Sequence, residues 1–128
     1  MKAVMEKYLL VLAGGAVGSL ARFLAGTAIM NRFASRFPLG TMIVNVTGCF
    51  LIGAIMTALT QRAPANPNLR LLLVVGFLGG YTTFSSFEWE TFAAARDGSP
   101  WIGLLNVLAS VALGYLAVWL GALSVGRR

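Results

Sequence analysis

Gly76-Phe77-Leu78-Gly79-Gly80-Tyr81-Thr82-Thr83-Phe84-Ser85-Ser86-Phe87 interrupts an otherwise helix-forming run from Leu69 to Ala95. An apolar half, Leu69 to Leu78, leads into it and a helical tail leaves it. Adjacent glycines lower helix propensity, and serine and threonine side chains compete for backbone hydrogen bonds, so a helix weakens here. At 1.5 Å per residue the whole run is about 40 Å long, with Thr82 close to its centre. Irregular backbone at that depth of a bilayer survives only where protein or a water-filled cavity satisfies it, and such interruptions turn carbonyls and half-helix ends toward ions. The stretch predicts a membrane helix broken near the bilayer midplane, at a place suited to ions.

The rest of the chain supports a membrane setting. Its 128 residues are 58% hydrophobic and only 11% charged, which leaves too little polar surface to coat a water-soluble globule. A hydrocarbon core about 30 Å thick needs roughly 20 apolar residues per helical crossing. Four runs meet that need, at about 8–30, 39–59, 69–95 and 101–124, and they predict an all-α, four-helix transmembrane domain occupying residues 1–128. Between them lie breakers: Arg36-Phe37-Pro38, Ala63-Pro64-Ala65-Asn66-Pro67 and Asp97-Gly98-Ser99-Pro100. Trp101 and Trp119 stand near the two ends of the last run, as headgroup-level anchors do. Lys2 and Lys7 before an apolar run imitate a signal peptide, but the run continues past Arg22 to Met30 and reads as a membrane helix.

The net charge of +6 does not point to nucleic acid, because the basic residues border apolar runs and do not cluster on one polar face. Four crossings put Lys2, Lys7, Arg62, Arg70, Arg127 and Arg128 on one side and Arg32, Arg36 and Arg96 on the other. That count favours cytoplasmic termini. Cys49 is a lone thiol within an apolar run, a small packing residue. With no histidine in the chain, imidazole relays, His-based metal sites and Ser-His-Asp chemistry are excluded. The chain does not read as an enzyme.

Several polar residues sit where hydrocarbon penalises them. Arg22, near the middle of the first run, costs roughly 2.5 to 3.5 kcal/mol if unpaired in lipid, so it faces protein or water. It shares a stripe with Gly14, Gly18 and Gly26, which reads either as a packing seam with a snorkelling arginine or as an anion-attracting vestibule charge. Thr41, Asn45 and Gly48 share a face of the second helix. Asn45 reads as interhelical glue or as a donor to a small anion, since its amide offers two N–H groups. Asn106, Ser110 and Gly114 make a similar stripe on the fourth helix, a polar track or a packing seam. Phe84 and Phe87 share a side of the tail; such pairs commonly face lipid or core, but a ring edge is partially positive and can line an anion path. Glu88 and Glu90 follow the break with no assigned role.

These residues resemble the Fluc/CrcB family of fluoride channels, through strings in all four spans. Gly14-Gly15-Ala16-Val17-Gly18-Ser19-Leu20-Ala21-Arg22 looks like its first-helix pattern. Pro38-Leu39-Gly40-Thr41 leading to Asn45 and Gly48 looks like the second, Gly76 to Phe87 like the third, and Leu104-Leu105-Asn106-Val107 like the opening of the fourth. The resemblance implies an antiparallel, dual-topology homodimer in the cytoplasmic (inner) membrane, with two passive fluoride pathways that protect the cell from fluoride. It also implies a structural sodium ion at the dimer centre, held by the backbone carbonyls of Gly79 and Thr82. By the same resemblance Asn45, Thr83, Phe84, Phe87, Asn106 and Ser110 belong to the fluoride pathway, with Arg22 at its vestibule. A small multidrug exporter, the main rival, needs a carboxylate inside its first span, where this chain has Arg22. A non-transporting scaffold explains the glycine seams but not a hydroxyl-laden break.

Overall fold

In the computed structural model residues 1–61 and 66–126 are described. The breaker Ala63-Pro64-Ala65 and the anchors Arg62, Arg127 and Arg128 lie outside them. Helix α1 spans Lys2–Phe33, starting ahead of the expected Tyr8 because nothing in Lys2 to Lys7 breaks a helix. It ends where Ala34 adopts the left-handed conformation (φ 42°), its N–H donating to the Met30 carbonyl at 2.9 Å. Pro38 then permits a fresh start, and α2 runs Leu39–Gln61.

The third span begins with Pro67 behind the cap Asn66, whose Oδ1 accepts the Asn68 N–H at 3.0 Å. Its first part, α3 (67–81), is composite: one helical turn, a π-helical stretch Arg70–Leu78, and a further turn Gly79–Tyr81. Thr82 and Thr83 are extended, and α4 resumes over Phe84–Arg96. Gly98, at φ 83°, turns the chain into α5, Pro100–Gly126. Four helical segments are thus long and apolar enough to cross a membrane: Val4–Phe33, Leu39–Gln61, Pro67–Arg96 and Pro100–Gly126. The protein is all-helical and multi-pass.

The helices pair as α2 with α5 and α1 with α3, and α4 lies on α5. Close approach depends on missing side chains. A Cβ on Gly18 would collide with the Phe77 carbonyl, and one on Gly48 with the Thr82 methyl, so these glycines bring α1 and α2 against the third span. Few apolar residues are enclosed: among the described residues the buried ones are Val44, Leu78, Phe87 and Ala117. Large apolar side chains on every helix point outward, the inverse of a soluble globule and normal for a chain solvated by lipid.

Candidate functional site

Extending Thr82 and Thr83 removes Thr83 from the helical hydrogen-bond ladder, and an orphaned backbone pair in an apolar setting costs several kcal/mol by order of magnitude. Asn45 of α2 meets both needs. Its Nδ2 donates to the Thr83 carbonyl at 2.9 Å and its Oδ1 accepts the Thr83 N–H at 2.8 Å. The opposed polarities of that backbone pair fix the amide orientation and leave one Asn45 N–H uncommitted to Thr83. Thr83 also caps α4, its Oγ1 accepting the Ser86 N–H at 3.3 Å. The Thr82 N–H and hydroxyl both donate to the Leu78 carbonyl, at 3.0 and 2.9 Å. Tyr81 and Thr47 share a hydroxyl hydrogen bond of 2.9 Å that ties α2 to the end of α3.

A cavity of about 430 Å³ opens beside this link. Its wall brings together Asn45 and Gly48 from α2, Gly79 from the end of α3, Thr82 and Thr83 from the link, Phe84 and Phe87 from α4, and Ser110 from α5. The two phenylalanine rings are 5.7 Å apart and tilted by 44°. They differ in exposure: Phe87 is buried at 7%, whereas Phe84 stands 73% exposed at the cavity's edge. The amino-terminal end of α4 lies at the same wall, with its positive dipole end and free N–H groups.

Two predicted pathway or vestibule residues lie elsewhere. Asn106 does not line this cavity; it is 1% exposed, its Nδ2 donating to Thr91 Oγ1 at 2.9 Å and its Oδ1 accepting from Ser110 at 3.4 Å. Arg22 is half-buried and lines a second cavity, of about 310 Å³, with Thr41, Thr83, Ser86 and Glu90. A third, of about 870 Å³, continues from it past Gly26, Thr27, Gly40 and Thr41 to Arg36, Asp97 and Ser99. Cavities two and three share Thr41 and Glu90, and the first two share Thr83. Polar space therefore runs from the α1–α2 turn to the extended link.

Glu90, which the sequence left without a role, stands at the junction. Thr41 Oγ1 donates to its Oε1 at 2.7 Å, while its enclosed Oε2 has no hydrogen-bond partner. A signal for it existed: Thr83, Ser86 and Glu90 fall at i, i+3 and i+7, one stripe of α4. Among the described residues no group of His, Cys, Asp and Glu could hold a metal, so any cation at this site must rely on other oxygen donors.

The architecture and the site define a small multi-pass membrane protein whose polar side chains converge on cavities at an interrupted run of helix. More particularly, the chain belongs to the family described as CrcB-like protein, Camphor Resistance (CrcB), whose pattern matches residues 9–122. It is 67% identical over 121 residues to a protein of Solibacter usitatus, covering 94% of this chain and 99% of that one. A protein of Acidobacterium capsulatum is 51% identical over 122 residues, 95% of this chain and 97% of its own. One from Rhizobium meliloti is 45% identical over 117 residues, 91% of this chain and 94% of its own. All three are named fluoride-specific ion channel FluC.

Proposed function

We propose that this protein is a fluoride-selective channel that lets fluoride leave the cell passively across the cytoplasmic membrane and so protects it from fluoride. The observation that carries this reading is that one cavity beside the extended link gathers Asn45, Thr83, Phe84, Phe87 and Ser110. Fluoride is small and strongly hydrated, so a path must replace its water by donors and positive ring edges without holding it too tightly. The free Asn45 N–H, the start of α4 and the edges of Phe84 and Phe87 are of that kind. The relatives' names agree with it.

The active unit is an antiparallel homodimer with two pathways, the third helix of each subunit broken near the bilayer midplane. The wide-open cavity edge at Phe84 and Val111 favours a second copy as its missing wall. A structural sodium ion at the dimer centre fits the donors at the link. The N–H that would meet the Gly79 carbonyl in a continued α-helix belongs to Thr83, and Asn45 has taken it. Gly79 and Thr82 would hold the ion through their carbonyls, and sodium would supply only charge balance and a fixed geometry.

Purified protein in liposomes, with a potassium ionophore to remove the electrical brake, tests the reading. Fluoride release without chloride release is the expected result. Silence toward both anions from a well-folded dimer would move the protein to a scaffold role.

A further inference from the structure

The Asn106 amide lies between two hydroxyls, those of Thr91 and Ser110. The Thr91 hydroxyl, one turn beyond Phe87 on α4, donates its only proton to the Phe87 carbonyl at 2.8 Å. Its oxygen can therefore serve Asn106 only as an acceptor, which fixes the Asn106 amide with its NH2 toward Thr91 and its oxygen toward Ser110. Asn106 is 1% exposed, so water offers no alternative partner for the amide. Ser110, on the wall of the cavity at the extended link, then gives its one proton to Asn106 and presents lone pairs to that cavity. An anion there needs the opposite, a donor.

We propose that Asn106 is a positioning residue that holds the Ser110 proton between anions and yields it to each anion that arrives; the inference rests on the fluoride-channel reading. At 3.4 Å the bond from Ser110 to Asn106 is long and therefore readily exchanged. When fluoride enters, the hydroxyl turns to it. When fluoride leaves, the amide oxygen is waiting, so neither step strands an unpaired donor. The exchange keeps binding at Ser110 weak enough for passage, which a permanently free hydroxyl would not.

Initial rates of fluoride efflux from liposomes over a range of fluoride concentrations test this, with dimer assembly followed by size-exclusion chromatography. Asn106→Leu removes the standby acceptor, and Thr91→Val removes the group that keeps the amide's NH2 away from Ser110. Each is expected to lower the half-saturating fluoride concentration roughly three- to tenfold, the scale of one net hydrogen bond, and to lower the maximal rate. Combined with Ser110→Ala, neither should shift half-saturation relative to Ser110→Ala alone. A shift of the same size without the Ser110 hydroxyl overturns the proposal, as does an unchanged half-saturation in Asn106→Leu. Should Asn106→Leu fail to assemble, Thr91→Val decides by the same criteria. Should Ser110→Ala stop transport, the single variants decide against the wild type, because a merely structural loss would slow the maximal rate without tightening fluoride. A wild-type protein that releases no fluoride would overturn the channel reading itself.

Discussion

Asn45 does two jobs that substitution can separate. Its hydrogen bonds to both backbone groups of Thr83 are glue, while the residue lines the cavity with one N–H uncommitted to Thr83. Asn45→Leu leaves two half-buried backbone groups of Thr83 unpaired and should destabilise the folded protein by about 2 to 4 kcal/mol, read as thermal unfolding in detergent. Unchanged unfolding would show that the two bonds contribute nothing. The phenylalanines separate differently. Phe84, largely exposed on one chain, supports no core, so Phe84→Ile should fold as the wild type does and lose fluoride flux in liposomes. Phe87 is buried, and Phe87→Ile should lose flux with some loss of stability as well. Full flux in both variants would remove the rings from the path. The 3.6-residue period put Asn45, Ser110 and the two rings each on a defined face of its own helix, and the family resemblance alone assigned those faces to one pathway. It did not reveal that Asn106 looks inward to Thr91, since facing across a helix pair depends on the other helix.

The third span shows which elements a linear reading can reach. Its extended pair, Thr82 and Thr83, falls within the stretch rich in glycine and hydroxyls where local propensity is weakest. The π-helical stretch Arg70–Leu78 had no such mark: Arg70 to Val75 is ordinary helix-forming sequence, and widening of the turn goes with close packing against α1. A Cβ at Gly14 would strike the Leu72 carbonyl, and one at Gly18 the Phe77 carbonyl, so the widened segment leans directly on α1's glycine face. The face arithmetic of an α-helix therefore fails over those residues. Gly18→Val forces α1 and α3 apart and should cost folded, extractable protein, measured as the monodisperse fraction in mild detergent. Gly26→Ala, whose added methyl meets nothing within 4 Å, should leave that fraction unchanged. Equal yields for the two would deny the seam. If the carbonyls of Gly79 and Thr82 hold sodium, prolonged exchange of sodium for an organic cation should slow fluoride efflux and loosen the dimer together.

For the whole molecule, the decisive fact is how little one chain encloses. Val44, Leu78, Phe87 and Ala117 are its buried apolar residues among those described, whereas Leu108, Val111 and Tyr115 on α5 and Phe84 on α4 lie open. Lipid can cover such a surface, but a cavity bordered by Phe84 and Val111 also needs a protein wall to guide an anion. An antiparallel partner supplies that wall only if chains insert both ways, and the sequence constrains how readily they do. Lys2, Lys7, Arg62, Arg70, Arg127 and Arg128 outnumber Arg32, Arg36 and Arg96 on the opposite side by six to three. Cytoplasmic and extracytoplasmic reporters fused after the last residue should therefore both be active, with the cytoplasmic one stronger. Replacing Lys2 and Lys7 with glutamine leaves four against three on the same count. The two signals should then draw level, and the yield of dimer should rise because the rarer orientation limits pairing. A reporter active on one side only, in both versions, would rule out the antiparallel assembly while leaving the cavity and its residues to be explained by a parallel one.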